Sequence, residues 1–170
     1  MTDQNPSAAV AIIRRTSDQG KVYYLVLRRV AHPDDPWSGH FSFPGGRKEN
    51  GDKDLLSTCL RETQEETGIL LSKRQLELRL PLEPAGRNFN APLWVQPFLF
   101  KIIKKPELTL EPSEIQSFIW LDASQFRDRR NHQQVEMLPG KIFPAFPIED
   151  YYLWGFTYRL LQSIVSQSEK

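Results

Sequence analysis

A glycine turn followed by a short acidic segment is the feature that most constrains this chain. The turn contains Gly45 and Gly46, and the acidic segment contains Glu62, Glu65 and Glu66. Because these glutamates stand at positions i, i+3 and i+4, a helix brings their side chains to one face. Carboxylates at that spacing repel one another and weaken the helix unless a positive charge lies among them. The segment therefore has to fold against something that compensates its charge.

Two interpretations of the acidic cluster are open. A run of glutamates is usually a solvated helix face. Alternatively, the three carboxylates bind a hard divalent cation, and Mg²⁺ in particular prefers oxygen ligands and binds substrate phosphates. The flanking residues favour the second interpretation, because the rigid turn Phe43-Pro44-Gly45-Gly46 precedes the cluster and Gly68, typical of a helix C′ position, follows it. The pattern predicts a metal-dependent phosphate chemistry.

The helix that carries these glutamates is predicted to run from about Asp54 to Thr67. One of its faces is mostly apolar and should pack on a sheet, with the carboxylates on the flank of that face, directed toward a cleft. Arg61 lies four residues before Glu65 and is expected to orient it by an ion pair, the alternative being a solvated surface charge. The apolar face consists of Leu56, Cys59, Leu60 and Thr63. Cys59, the single cysteine, is therefore interpreted as a core residue.

Length and charge limit the number of domains and the kinds of partner that the chain can have. With 170 residues, it is predicted to be a single domain over residues 1–170. The net charge of +1 provides no overall field for a stable nucleic-acid complex or for an anionic membrane. No segment is long and apolar enough to cross a membrane. A chain that cannot form an internal disulfide suits a reducing compartment, so a cytoplasmic location is expected.

The remaining pattern alternates strands and helices, which predicts an α/β fold with a mixed β-sheet between two main helices. The C-terminal stretch Tyr151–Val165 has apolar residues at helical spacing and is predicted to be a closing helix. Three stretches are predicted to be loops, the part of a fold that most often carries ligand specificity: residues 30–38, 83–92 and 127–140. Strands are predicted at Ala8–Arg14, Val22–Arg29, Phe41–Phe43, Leu76–Leu80, Leu93–Ile103 and Glu114–Leu121.

The segment from Gly46 to Ile69 resembles the Nudix box, the signature of a family of hydrolases. The pairs Arg61-Glu62, Glu65-Glu66 and Gly68-Ile69 match that signature position by position. Asp52 stands where the signature has glutamate, the spacing from Asp52 to Arg61 is one residue longer, and Thr63 replaces an aliphatic residue. As a favoured N-cap residue, Asp52 is expected to cap the helix. The resemblance implies a Nudix-type α/β/α sandwich.

The same resemblance implies which residues form the site. The metal, Mg²⁺ or Mn²⁺, is expected on Glu62, Glu65 and Glu66, together with a backbone carbonyl of Gly45 or Gly46. Glu65, Glu66 and Arg61 are also expected to take part in catalysis, and either Glu62 or Glu114 is the general base, a choice that the sequence leaves open. Glu114 fits a surface residue before a strand equally well. Arg28, Arg29, Arg47 and His40 are expected to contact phosphates, although each also fits a surface role. Phe89, Trp94 and Trp154 fit either base stacking or core packing.

Three further segments are similar to the coenzyme A pyrophosphatase branch of this family. They are Leu25–Arg29 with Gly39–Gly46, the tail Tyr152–Thr157, and Glu111–Ile115. The branch has an arginine in the loop before Gly39, and residues 31–38 contain none. The preferred substrate is expected to be coenzyme A or an acyl derivative, in a monomer or homodimer. The alternatives are ADP-ribose, dinucleotides or oxidised nucleotides as substrates, or a non-catalytic nucleotide sensor on the same fold.

Overall fold

The computed structural model describes residues 5–35, 38–86 and 90–167. The helices in these ranges are α1 (Leu55–Thr67), α2 (Ala123–Arg127) and α3 (Gly155–Gln167), with 3₁₀ turns at Lys73–Gln75 and Arg129–Asn131. The strands, in chain order, are β1 (Ala8–Thr16), β2 (Val22–Arg29), β3 (Phe41–Ser42), β4 (Gly45–Arg47), β5 (Leu76–Arg79), β6 (Glu83–Ala85), β7 (Leu93–Ile102), β8 (Ile115–Asp122), β9 (Gln133–Leu138), β10 (Lys141–Ile148) and β11 (Tyr151–Trp154).

Within the described residues, eight strands form one mixed sheet. Its central pair, β1 and β7, is parallel and in register from Ala8 opposite Val95 to Arg15 opposite Ile102. The short strand β4 lies antiparallel on β1, with Gly45 opposite Val10, and β8 lies antiparallel on β2. A separate antiparallel sheet contains β9, β10 and β11. The glycine turn is thereby fixed on the central strand of the large sheet.

Apolar residues of β1 alternate between two buried clusters, one on each face of the large sheet. Ile13 contributes to the cluster beneath α1, and Ile12 contributes to the cluster shared with α2, α3 and the second sheet. This is the period of two expected of a strand that is buried on both faces. The predicted α/β/α sandwich with a mixed sheet between helices is therefore confirmed.

Helix α1 matches its predicted span to within one residue. Asp54 is its N-cap and accepts a hydrogen bond from Ser57 N at 2.8 Å, while Gly68 ends the helix with a φ of 74°. The expectation that Asp52 caps the helix is wrong, because Asp52 lies two residues before the cap and bonds other groups. Cys59 and Thr63 are fully buried against the sheet, as predicted for the apolar face. The Thr63 hydroxyl donates to Cys59 O at 2.7 Å, so its burial leaves no polar group unpaired.

The C-terminal prediction needs correction. The stretch Tyr151–Trp154 was expected to be helical, but it forms strand β11 and pairs with Ala145–Ile148, and helix α3 begins only at Gly155. Aromatic residues suit a strand, and Gly155, with a φ of 69°, marks the change of direction. The predicted loop 127–140 contains strand β9, the loop 83–92 contains β6, and the supposed turn at Gly45-Gly46 lies within β4.

Candidate active site

The site is built where strand β4 lies beside helix α1. A Cβ on Gly46 would stand only 2.6 Å from Glu62 Cδ, so the Glu62 carboxylate occupies the space that a larger residue would need. A Cβ on Gly45 would lie 2.8 Å from Val10 Cα in the neighbouring strand. Both glycines are therefore required by close approach, one of a side chain and one of the backbone. The glycine turn and the acidic helix of the sequence meet at this contact.

Arg61 connects the acidic residues around the N-terminal half of α1. Its Nε and Nη2 donate to the two Asp52 carboxylate oxygens, each at 2.9 Å. Its Nη1 donates to Glu62 at 3.0 Å and to Glu65 at 3.1 Å, so the predicted Arg61–Glu65 ion pair is present. The Arg61 guanidinium holds the pKa of Asp52 well below its usual range. Arg61 thus fixes two of the predicted metal ligands in place.

Glu66 is the buried member of the acidic cluster, with only 4% of its surface exposed. Burial raises its pKa to about 8, and the charges of Glu62 and Glu114 act in the same direction. A hydrogen bond from the Gly45 backbone and the charge of Arg29 oppose that increase. Burial also raises the pKa of Glu62. The site therefore gathers carboxylates whose ionised forms are disfavoured without a neighbouring cation.

Glu114 is brought to this cluster by backbone hydrogen bonds from two directions. Val30 N donates to Glu114 O at 2.9 Å, which ties the residue to the end of β2. In the same segment, Glu111 N donates to Glu66 O at 3.0 Å, which joins it to helix α1. Glu114 acts electrostatically on both Glu62 and Glu66. A residue remote in sequence from the acidic helix is thereby placed beside it.

The side chains of the three glutamates were expected to converge, and Glu65 is the one that does not. Its side chain is 57% exposed and is held by Arg61. Among residues 5–35, 38–86 and 90–167, no three His, Cys, Asp or Glu side chains already stand in a ligand arrangement. The donor chemistry nevertheless fits a hard cation, because buried carboxylate oxygens that repel one another are stabilised by a divalent ion. The assignment of Glu62, Glu65, Glu66, Gly45 and Gly46 to the metal stays a prediction.

The predicted phosphate-binding residues occupy different surroundings. Arg29 lies close enough to affect Glu66 electrostatically, and it also pairs with Asp35 at 3.0 Å. Arg28 points away from that cluster, toward the second sheet, where it pairs with Asp150 at 2.5 Å. Arg29 is therefore placed to act on the carboxylates, whereas Arg28 is paired elsewhere.

The other two predicted phosphate contacts are Arg47, which is exposed, and His40. The His40 ring lies 5.5 Å from the Trp154 ring and 5.9 Å from the Tyr151 ring, between centroids. Trp94 and Trp154 are partly buried. Phe89, together with Pro36 and Trp37 of the predicted specificity loops, lies outside the described residues.

The bond between Asp52 and Arg61 was missed by sequence reasoning, which treated Asp52 as a cap. The signal was present in the sequence, because Asp54 is an equally good capping residue and leaves Asp52 free for another role. The selective burial of Glu66 was missed as well. This burial follows from the apolar face of the helix, because Glu66 lies three residues after Thr63 on the same side.

The chain matches a known protein family and several curated proteins. The NUDIX domain family profile matches residues 5–141. The mitochondrial coenzyme A diphosphatase NUDT8 of Homo sapiens is 31% identical over 160 residues, which cover 89% of this chain and 65% of that protein. The chain spans only 31% and 34% of the lengths of two further curated relatives, from Schizosaccharomyces pombe and Mus musculus. In the part of the chain that the structure describes, no helix has the length and apolarity to span a membrane.

Solved structures share the fold. A binary complex of an Ap4A hydrolase from C. elegans has a TM-score of 0.54 at 26% identity, covering 71% of this chain and 82% of that one. A NUDIX hydrolase from Alicyclobacillus acidocaldarius has a TM-score of 0.64 at 18% identity, covering 95% of this chain and 92% of that one. The family profile, which spans most of the chain and contains the turn and helix of the site, shows that this chain belongs to the Nudix family.

Proposed function

We propose that this protein is a divalent-metal-dependent pyrophosphohydrolase, which cleaves the diphosphate bond of a nucleoside diphosphate linked to another moiety. The observation that carries the proposal is the packing of Glu66 among Glu62, Glu114 and the Gly45 backbone, at the turn that the Nudix box predicts. The raised pKa values of Glu62 and Glu66 show that their ionised forms need a compensating charge, which suits a cation that binds phosphate oxygens.

Glu62, Glu65 and Glu66, with a carbonyl of Gly45 or Gly46, are the proposed ligands of Mg²⁺ or Mn²⁺. When bound, the ion would neutralise charge on the diphosphate and lower the pKa of a bound water. Arg61 keeps Glu62 and Glu65 oriented by its hydrogen bonds of 3.0 and 3.1 Å. Both carboxylates belong to one face of the helix, so a rotation of their side chains would bring them to a bound cation.

Proton transfer from the attacking water is proposed for Glu62 or Glu114. Glu62 has the advantage of direct contact with the glycine turn, where a Cβ on Gly46 would meet its carboxylate. Its raised pKa also brings it closer to the range in which a carboxylate accepts a proton at neutral pH. Glu114 comes from outside the helix and approaches the same cluster. Comparing Glu62→Gln with Glu114→Gln in pH–rate profiles identifies the base, because only its loss abolishes the acidic limb.

Coenzyme A or an acyl derivative is the proposed preferred substrate, with 3′,5′-ADP and 4′-phosphopantetheine as products. The support is the similarity to human NUDT8, named a coenzyme A diphosphatase, together with the branch-like segments around Arg29, Glu111 and Trp154. Against it stands the loop 31–38, which lacks the arginine of that branch. The C. elegans Ap4A hydrolase, at 26% identity, supports a dinucleoside polyphosphate as the second candidate.

The decisive experiment is a mass-spectrometric screen in ¹⁸O-labelled water. Coenzyme A, ADP-ribose, NADH and diadenosine polyphosphates are incubated with the protein and either Mg²⁺ or Mn²⁺. Release of phosphopantetheine supports the coenzyme A proposal, and the labelled product identifies the phosphorus that water attacks. Intact coenzyme A beside turnover of another compound rejects that substrate but keeps the reaction class.

A non-catalytic sensor is separated from an enzyme by Glu66→Gln, with Glu107→Gln as the matched control. Glu107 is an exposed glutamate outside the cluster. An enzyme should lose orders of magnitude in kcat with Glu66→Gln and nothing with Glu107→Gln. A sensor would turn over none of the compounds in any form, and that result would reject the proposed hydrolysis.

A further inference from the structure

A second polar cluster lies on the large sheet, away from the candidate active site. It consists of Arg15 on β1, Tyr23 on β2 and Trp120 on β8. Arg15 is directly opposite Tyr23 across β1 and β2, whereas Gly45 is opposite Val10 on the same strand. The five residue steps from Val10 to Arg15 correspond to about 17 Å of strand. The two clusters are therefore separate.

The guanidinium of Arg15 contacts two aromatic rings. Its guanidinium carbon lies 4.8 Å from the centroid of the Tyr23 ring and 5.5 Å from that of the Trp120 ring. These contacts hold the plane of the guanidinium and leave its hydrogen-bonding edge for an acceptor. Among the ion pairs of the described residues, Arg14 has an acidic partner in Glu77, and Arg15 has none.

Two hydrogen-bond donors of this cluster lack an acceptor. Arg15 Nε and Trp120 Nε1 are both buried, and neither has a hydrogen-bond partner within the described structure. Buried donors are normally paired, and each exception calls for an explanation such as a missing ion. Two exceptions in adjoining side chains, one of them carrying a positive charge, indicate a missing negatively charged acceptor.

We propose that Arg15, Tyr23 and Trp120 form a binding site for a small oxyanion, either a phosphate or a carboxylate group, distinct from the diphosphate site. The anion accepts hydrogen bonds from Arg15 Nε and Trp120 Nε1, while the aromatic rings shield the pair from water. Entry requires a small rotation of the Trp120 ring, because both donors are covered as the side chains stand. Strand β8 pairs only with β2 among the described residues, so Trp120 lies on an edge strand, and its ring is partly buried against the cluster beneath α1.

The test observes the indole N–H directly by NMR. The chain has four tryptophans, so ¹⁵N-labelled protein gives four indole signals, and Trp120→Phe identifies the relevant one. Sodium phosphate and, separately, sodium acetate are added at constant ionic strength, in the presence of EDTA. We expect the Trp120 signal to move downfield and to saturate with at least one anion, and the anion with the lower dissociation constant identifies the preferred group.

Substitutions complete the test. Arg15→Met should raise the dissociation constant at least tenfold, whereas Arg14→Met, on the opposite face of the strand, should leave it unchanged. Should Arg15→Met fail to fold, Arg15→Lys retains the charge but lacks Nε–H and should also weaken binding. A Trp120 signal that shifts linearly without saturation, or an affinity unaffected by the Arg15 substitutions, would overturn the proposal.

Discussion

The buried carboxyl of Glu66 predicts that the metal-free protein becomes less stable as the pH rises. A pKa of about 8 in the folded state, against the usual 4.5, means that the folded chain retains a proton that the unfolded chain has lost. The associated stability is fully present below pH 4.5 and is lost as the pH rises through 8. Glu66→Gln, which cannot ionise, removes this dependence.

The size of the effect follows from the same values. The full difference corresponds to about 5 kcal/mol, at roughly 1.4 kcal/mol for each unit of pKa. Relaxation around the charge and entry of water reduce the expected loss to about 3 kcal/mol. Since Glu62 and Glu114 contribute part of the repulsion, Glu62→Gln should recover a fraction of that loss. The lowered pKa values of Asp54 and Asp122 affect stability only at lower pH, so they do not interfere.

The assay is urea unfolding in EDTA at pH 5, 7 and 9, on the wild type, Glu66→Gln and the exposed control Glu107→Gln. The wild type and the control should lose about 3 kcal/mol relative to Glu66→Gln between pH 5 and pH 9. Addition of Mg²⁺ or Mn²⁺ at pH 9 should restore the wild type and leave Glu66→Gln nearly unaffected. If all three proteins lose stability in parallel, Glu66 is not the buried acid that the structure describes.

Three further predictions concern the residues around the helix. Gly46→Ala should fold but displace the Glu62 carboxylate, and kcat measured by mass spectrometry on the turned-over substrate should fall about 100-fold. Gly45→Ala meets the backbone of β1 and should unfold at a clearly lower urea concentration. Asp54→Ala removes the N-cap of α1 and should cost about 1 kcal/mol in urea unfolding, without altering the metal dependence. Burial raises the pKa of the Cys59 thiol, so Cys59 should react with a thiol reagent only at the rate of unfolding; rapid labelling of native protein would contradict its place in the core.

The elements that the sequence predicted well are those specified locally. Helix α1 carries its own cap, apolar stripe and terminal glycine within fifteen residues of sequence, and each of these features appears in the structure. The second sheet was missed because its strand β11 has aromatic residues that also fit a helical pattern continued into α3. Pairing with strand β10 decides that this segment is a strand and not a helix, and pairing between strands is not encoded in local periodicity.

The proximity of Glu114 to Glu66 illustrates the same limit within the site. Two interactions set it, the register of β2 against β8 and the hydrogen bond from Glu111 to helix α1. Neither can be read from the residues around Glu114 alone. The resemblance to the Nudix family supplied Glu114 as a possibility, and the structure places it beside the carboxylates.

The structure explains two departures from the Nudix signature together: the shorter acid at Asp52 and the extra residue before Arg61. The one extra residue before Arg61 allows the loop to turn back on itself, with Glu49 N donating to the Asp52 carboxylate at 2.9 Å. That turn directs the shorter carboxylate of Asp52 to Nε and Nη2 of Arg61, in the paired geometry that a guanidinium favours. Nη1 is then left for Glu62 and Glu65. A shorter acid on a longer loop therefore anchors the same arginine, and the acidic face of the helix keeps its orientation.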